Sequence, residues 1–388
     1  MEDLLGLVSR AGSGNINWRG IETALSSFVV PMSRTEQSPE FHGEGDVWTH
    51  TKMVCETLVS LEEFRVLTPD RQQALFLAAL LHDVGKIPTT RWEDDRWTSP
   101  NHSVVGSKMA RQFLWQELGL CGTPEKQQLR ETVCNLIRYH SFPPHAIDDP
   151  DSKRKLMAIA ANAEQSPLFS LELLGILCQA DALGRICNGA EEPRAMAERV
   201  EFCGELAKES GCFSGPFPFP SRHTRYAYLS GMEIVPEVEL YDDTWGEVLL
   251  LSGLPGTGKD TWIRENCPGL PVISLDEIRG ELGITPIENQ TKVVELARNR
   301  ARELLRKKHP FIWNATNLSP MVRSKQIKLF TQYHAAVRIV YLETGWAEQL
   351  RRNRDREARV PEPVICHMMK DLVLPEGKEA HRVDWYYI

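Results

Sequence analysis

The stretch Val248–Ile263, VLLLSGLPGTGKDTWI, decides how the C-terminal half of the chain folds. Val248 to Leu251 is an unbroken apolar run with the length and composition of a buried strand. The loop Gly253-Leu254-Pro255-Gly256-Thr257-Gly258 follows, and Lys259 opens an expected helix. This is G-x-x-x-x-G-K in a strand–loop–helix setting, the P-loop spacing. Glycines let the backbone curl so that several N–H groups converge on one anion. The helix N-terminus adds partial positive charge, and Lys259 reaches the β- and γ-phosphates. Gly253, Pro255, Gly256, Thr257, Gly258, Lys259, Asp260 and Thr261 are therefore the expected nucleotide-binding residues of a nucleoside triphosphate site working with Mg²⁺. Asp260 stands where the motif wants a Ser or Thr for the metal. A carboxylate is a hard-oxygen ligand, so Asp260 holds Mg²⁺ directly, acts through a bound water, or caps the helix.

Around this stretch, strand candidates Val248–Leu251, Pro271–Leu275, Phe311–Asn314 and Val337–Leu342 alternate with helical segments. That is an α/β domain with a parallel sheet, whose ligands bind at the strand C-terminal ends. Asp276, just after a strand, is placed either to accept a proton from an attacking hydroxyl or to cap the next helix. Arg279 lies one turn on and is expected to hold a phosphate of the acceptor. Asn314-Ala315-Thr316-Asn317 supplies hydrogen-bonding groups, and Arg323 in the following helix is expected on the substrate side. In EQLRRNRDREARVPEPVI, Arg352, Arg356 and Arg359 recur at i, i+4, i+7. In a P-loop enzyme such a stripe reads as a lid whose guanidiniums neutralise the transferring phosphoryl group.

The chain has 388 residues, 42% hydrophobic and 25% charged, enough for two domains of ordinary size. It has no run of ~18 apolar residues for a membrane helix and no visible secretory signal, so a cytoplasmic protein with no membrane partner is expected. Nine cysteines without a C-x-x-C pair fit reduced thiols rather than disulfides or zinc. A net charge of −8 argues against coating long nucleic acid, while leaving room for gripping a short end through local basic patches.

Residues 1–212 read as mostly helical, and their histidines fall on faces that the apolar residues mark as buried. Val47, His50 and Val54 share one face; Val133, Leu136, Ile137 and His140 another; Leu174, Leu177, Cys178 and Asp181 a third; and His102, Val105 and Met109 a weaker fourth. QQALFLAALLHDVGK is apolar nearly all round, so its terminal pair His82-Asp83 sits deep, where a carboxylate needs a partner or a metal. Independent helices each supplying one such group point to a common metal centre. Imidazole with carboxylate suits Mn²⁺, Fe, Ni²⁺, Co²⁺ or Zn²⁺.

His50, His82-Asp83 and Asp181 resemble the H…HD…D signature of the HD phosphohydrolase superfamily, over residues 40–190. That resemblance implies an all-helical bundle and hydrolysis of phosphomonoesters or phosphodiesters. It implies that His102 and His140 are extra ligands of a two-metal centre, that Asp83 bridges the metals, and that Lys86 faces the phosphate. FHGEGDVWTHT is similar to a segment in HD domains of bacterial tRNA nucleotidyltransferases. The P-loop, Asp276-x-x-Arg279 and the arginine stripe resemble polynucleotide 5′-kinases, which implies that Asp276 is the general base and Arg279 contacts the acceptor phosphate. An HD domain ahead of this kinase is similar to bacterial HD–polynucleotide-kinase proteins that heal broken RNA ends.

The expected architecture is an HD bundle over 1–212, a linker over 213–243 set by the Pro- and Gly-rich CFSGPFPFPSRH, and a P-loop kinase over 244–388. The expected activity is phosphorylation of 5′-OH RNA or DNA ends, with removal of 2′,3′-cyclic, 2′- or 3′-phosphates, and a ligase as the partner that seals them. Its rivals are an HD nucleotidase joined to a small-molecule or nucleoside kinase, and a triphosphate-sensing regulator that binds RNA.

Overall fold

Helix Pro69–Leu81 is apolar nearly all round because it is the centre of a bundle: Ala74 to Leu81 are all buried. In the computed structural model, which describes residues 4–11, 15–187, 192–285, 288–356 and 359–388, helices Leu4–Ala11, Val47–Ser60, Pro124–Tyr139 and Leu171–Leu183 pack against it. Asp46 starts Val47–Ser60, its carboxylate accepting from Trp48 N and Thr49 N at 2.9 Å each. The bundle carries one β element that the sequence reading did not foresee. Strands β1 (Arg91–Glu93) and β2 (Arg96–Thr98) form an antiparallel hairpin, turned by Asp94 and Asp95 at φ 51° and 56°.

The second unit is built on five parallel strands: β3 (Glu247–Ser252), β4 (Val272–Ser274), β5 (Ile312–Asn314), β6 (Ala336–Glu343) and β7 (Arg382–Tyr387), in the order β4-β5-β3-β6-β7. The expected strands all form, and RVDWYY adds the fifth at an edge. Alternation along β3 decides the layering. Val248 and Leu250 pack with residues of helices Thr291–Arg306 and Pro320–Thr331 on one face. Leu249 and Leu251 pack with Trp262 and Ile263 of helix Lys259–Asn266 on the other. The central strand β3 ends where the order switches sides, so the crevice at its C-terminal end falls at the P-loop.

The chain divides into residues 1–120 with 124–217, and residues 218–388 with Cys121–Thr123. Residues 218–243, expected as linker, belong to the second unit. Ser221 caps a helix, Arg222–Leu229, by accepting from Thr224 N at 3.0 Å, and Arg225 donates to the His381 carbonyl at 2.8 Å. Among the described residues no helix is long and apolar enough to cross a membrane. All nine cysteines are free thiols.

Candidate active sites

His82 follows the last residue of the central helix, and Asp83 after it is 2% exposed. Asp83 Oδ2 lies 3.2 Å from His82 Nε2 and 3.8 Å from His50 Nε2. Its other oxygen, Oδ1, lies 3.5 Å from His102 Nε2 and 3.9 Å from His140 Nε2. Asp181 Oδ1 closes the first side, 3.0 Å from His50 Nε2 and 4.0 Å from His82 Nε2. One carboxylate thus faces two ligand groups, one with each oxygen.

The outer nitrogens fix the tautomers. His82, His102 and His140 use Nδ1 on the carbonyls of Ala79, Ser99 and Ile137 at 2.8, 2.9 and 2.7 Å. Each Nδ1 therefore carries the proton, and each Nε2 presents a lone pair to Asp83. His50 Nδ1 lies 2.8 Å from Glu44 Oε1. Inside the cluster, His82 Nε2 and Asp83 Oδ1 are buried and, among the described residues, have no hydrogen-bond partner. His102 Nε2 and His140 Nε2 are only 3.2 Å apart. Acceptors crowded and buried in this way are destabilising unless cations sit among them. The residues fit two divalent ions, one among His50, His82 and Asp83 with Asp181 beside them, the other among Asp83, His102 and His140.

The electrostatics of Asp83, Asp181 and His140 agree with that fit, while at His82 burial is outweighed by Asp83 and Asp181, which raise the ring. Burial alone would raise Asp83, but Lys86, His82 and His102 outweigh it and hold the carboxyl well below its usual range. Burial of Asp181 is likewise outweighed by Arg185 and His50. Burial, with the neighbouring His102 and His82, pushes His140 down to about 3, so this ring is neutral, as a ligand must be. Lys86 Nζ lies 2.8 Å from Asp83 Oδ2 and donates to Gln37 Oε1 at 2.7 Å, so its ammonium stands at the edge of the cluster.

The sequence reading placed His102 by a helical face that the fold does not use. Ser103, Gly106, Ser107 and Ala110 form the buried face of helix His102–Gln116, while Val105 and Met109 are only half-buried. His102 reaches the centre because it is the first residue of its helix, and that helix comes very close to the turn after Asp83. A Cβ on Gly85 would lie 1.9 Å from the His102 carbonyl, so HDVGK needs its glycine there. Three residues were passed over. Glu44 accepts from His42 Nδ1 at 2.9 Å and faces His50, and Arg185 Nη2 holds Asp181 Oδ1 at 2.7 Å. Glu44 and His42 lie within FHGEGDVWTHT, and their signal was the need of a buried ligand histidine for a carboxylate behind it.

In the second unit the P-loop takes its shape from Gly253, Gly256 and Gly258 at φ 147°, 85° and 84°. A Cβ on Gly253 would lie 2.6 Å from the Leu342 carbonyl of the neighbouring strand. Thr257 Oγ1 donates to the Leu254 carbonyl at 2.9 Å, and Gln349 from helix Trp346–Arg354 donates to the Pro255 carbonyl at 3.1 Å. Lys259 Nζ is folded onto the carbonyls of Gly253 and Leu254, 3.0 Å from each. Although Lys259 is only half-buried as a residue, desolvation of its ammonium, with Arg356 adding to it, pushes it down to about 8. Asp260 Oδ1 accepts from Asn314 Nδ2 at 2.7 Å, which joins the loop to the end of β5. Thr261 follows on the first turn of the same helix.

Asp276 is not the cap of helix Leu275–Leu282. Ser274 takes that position, accepting from Glu277 N at 3.3 Å. The Asp276 side chain is 71% exposed and ion-paired with Arg279. Arg323 must be reassigned. It is completely buried, and its guanidinium is spent inside the protein. Nε and Nη2 grip Glu379 at 2.7 Å each, and the remaining donors reach the carbonyls of Asn317, Val373 and Leu374 at 3.0, 2.8 and 3.5 Å. A substrate cannot reach it. The arginine stripe is also broken, because helix Trp346–Arg354 stops before Arg356 and Arg359. Asn353 pairs with Val360 through both amide atoms, at 2.7 and 3.1 Å. Arg352 stays beside the P-loop: a Cβ on Gly258 would be 3.4 Å from its Nη1.

Comparison with known proteins agrees with this division. The HD domain family matches residues 47–185, and the AAA domain family matches residues 248–375. A bifunctional uridylyltransferase/uridylyl-removing enzyme of Streptomyces coelicolor is 31% identical over 189 residues, 46% of this chain. The chain spans only 20% of that enzyme's length. Among solved structures, a Chloroflexus aurantiacus protein assigned as a kinase has 16% identity and a TM-score of 0.32, over 37% of this chain and 86% of that one. A gluconokinase of Sinorhizobium meliloti has 16% identity and a TM-score of 0.28, over 37% and 83%. Residues 47–185 are thus similar to HD domains, and residues 248–375, a P-loop unit of α/β fold, are similar to AAA domains.

Proposed function

We propose that this protein heals nucleic-acid ends, phosphorylating a 5′-OH at the P-loop site and removing a 2′,3′-cyclic, 2′- or 3′-phosphate at the histidine cluster. The observation that carries the reading is Asp276, an exposed carboxylate at the end of β4 that is paired with Arg279 and not used as a helix cap. A base with an arginine beside it suits an acceptor that brings both a hydroxyl and a phosphate.

In the transfer step Asp276 takes the proton of the 5′-hydroxyl as its oxygen bonds to the γ-phosphorus. The bond from that phosphorus to the β–γ bridging oxygen breaks, and the nucleoside diphosphate leaves. Lys259 leaves its two loop carbonyls for the β- and γ-phosphates, and Arg352 and Arg356 neutralise charge from the lid side. Asp260, steadied by Asn314, has its second oxygen for Mg²⁺, directly or through water.

At the other site the residues named above would hold two transition-metal ions, such as Mn²⁺, Ni²⁺, Co²⁺ or Zn²⁺, which when bound supply Lewis acidity at a phosphoryl oxygen. Glu44 and Arg185 orient His50 and Asp181, and Lys86 offers a cation to the phosphate. Removal of a uridylyl group, part of the Streptomyces enzyme's name, is cleavage at a nucleotide's phosphate, the class of reaction proposed here.

The test uses one RNA oligonucleotide with a 5′-OH and a 2′,3′-cyclic phosphate, with ATP and Mg²⁺ and then with each transition metal. Lys259→Ala should lose change at the 5′ end only, and Asp83→Ala at the 3′ end only. If the wild type alters neither end but phosphorylates free nucleosides or sugars, the end-healing reading is wrong.

A further inference from the structure

Helix Thr291–Arg306 buries Val293, Ala297, Ala301 and Leu305 against the sheet, which turns a second flank outward. Thr291, Val294, Glu295, Arg298 and Arg302 of that flank, with Gln290 before it, line a surface cavity of about 550 Å³. This volume is in the range of ligand sites. Its lining carries two guanidiniums, Arg298 and Arg302, and one carboxylate, Glu295. Arg298 Nε is buried and, among the described residues, has no hydrogen-bond partner. A buried donor of this kind is destabilising until an acceptor arrives.

The cavity is wired to the acceptor side of the kinase site. Gln290 Oε1 accepts from Arg279 Nη1 at 3.3 Å, while the Gln290 amide is pinned by the carbonyls of Thr285 and Glu288 at 2.9 and 2.8 Å. Arg300 Nη1 donates to Glu281 at 3.0 Å and ties this helix to the one that carries Asp276 and Arg279. Arg279, Gln290, Arg298 and Arg302 therefore form one track leading away from the base.

We infer that this track binds the phosphodiester backbone of the acceptor beyond its terminal nucleotide, so that the kinase prefers a polynucleotide to a mononucleotide. The inference rests on the 5′-kinase reading and names the residues that would set its length preference. A guanidinium with an unpartnered donor, as at Arg298, can hold a phosphate this way, and Arg302 has donors beyond the Nη1 that serves Asn299 Oδ1 at 2.7 Å. An acceptor carrying a single phosphate has no need of Arg298 or Arg302.

The test compares a nucleoside 3′-monophosphate with 5′-OH oligonucleotides of two to eight residues, in full-length wild type and Arg298→Ala/Arg302→Ala. Binding of a fluorescent oligonucleotide is followed by anisotropy in parallel, and thermal melting checks that the variant folds. In wild type, KM should fall about tenfold or more as the acceptor gains its second and third phosphates. In the variant that advantage should collapse, and the salt dependence of binding should flatten by about one unit of slope or slightly more. A folded variant that keeps the wild-type length preference and salt slope overturns the inference. If the wild type phosphorylates no acceptor, the kinase reading fails by itself. Anisotropy then decides the track: weaker binding by the variant supports it, and equal binding rejects it.

Discussion

Replacing Arg323 by Met should destabilise the P-loop unit rather than disarm its site. Arg323 is fully buried and holds Glu379 through two charge-assisted bonds of 2.7 Å. Removing one member of such a pair leaves the other as an uncompensated charge, and about 3–5 kcal/mol of stability is lost. The carbonyls of Asn317 and Val373, now served at 3.0 and 2.8 Å, also lose their donor. In a domain of ~150–250 residues, 1 kcal/mol moves Tm by about 2–4 °C, so the transition of this unit should fall by roughly 6–20 °C. Calorimetry of the full-length protein reads this directly. Adding Glu379→Gln should recover part of the loss, because the stranded charge is then gone. The matched control is Arg279→Met, whose side chain is 22% exposed and pairs with an exposed Asp276. That variant should melt within about 4 °C of wild type, as such pairs contribute about 0–1 kcal/mol, while its acceptor KM rises. The opposite pattern, with Arg323→Met melting normally but binding acceptor poorly, would refute the assignment of Arg323 to the scaffold.

Asp83→Ala should remove the shared ligand of both proposed ions, so bound metal measured by mass spectrometry should fall at both positions while 5′ phosphorylation persists; unchanged metal content would contradict the bridging role. Lys259 binds phosphate as the ammonium, and its level of about 8 in the free protein sets a pH window. Below that pH the triphosphate KM should be flat. Above it, binding must take up a proton, and KM should rise by up to about tenfold per pH unit. Calorimetric titration in two buffers of different ionisation enthalpy should show the proton uptake at pH 9, and its absence there counts against the reading. Asn314→Ala frees Asp260 Oδ1 from its 2.7 Å bond, and should raise the Mg²⁺ concentration needed for half-maximal kinase activity several-fold with little change in acceptor KM. No shift in the Mg²⁺ requirement would leave Asp260 as a helix-terminus residue only.

Local pattern was enough for much of this protein. The apolar run before Gly253 reads as a buried strand, and its being unbroken suits a parallel strand covered on both faces. The all-apolar helix before His82-Asp83 had to be central, and a polar pair at its end had to find partners in the interior. Periodicity along Pro124–Tyr139 and Leu171–Leu183 turned His140 and Asp181 inward. These features are written in spacings of three, four and two residues, which a single chain carries whatever its neighbours do. Other features arise only when distant segments meet. β7 is a short strand whose pairing with β6 decides it, and the hairpin β1–β2 depends on two aspartates accepting positive φ. The fate of Arg323 turned on Glu379, 56 residues away, and no local signal announces that partner. Glu44 behind His50, Gly85 against the His102 carbonyl and the Gln290 link between Arg279 and the cavity are likewise contacts between separate elements. The sequence by itself determined which side chains are inward, polar and phosphate-competent, because burial periodicity and loop chemistry are local. Only the tertiary structure decided which of them face a ligand and which face one another, because that depends on where each charge finds its nearest counter-charge.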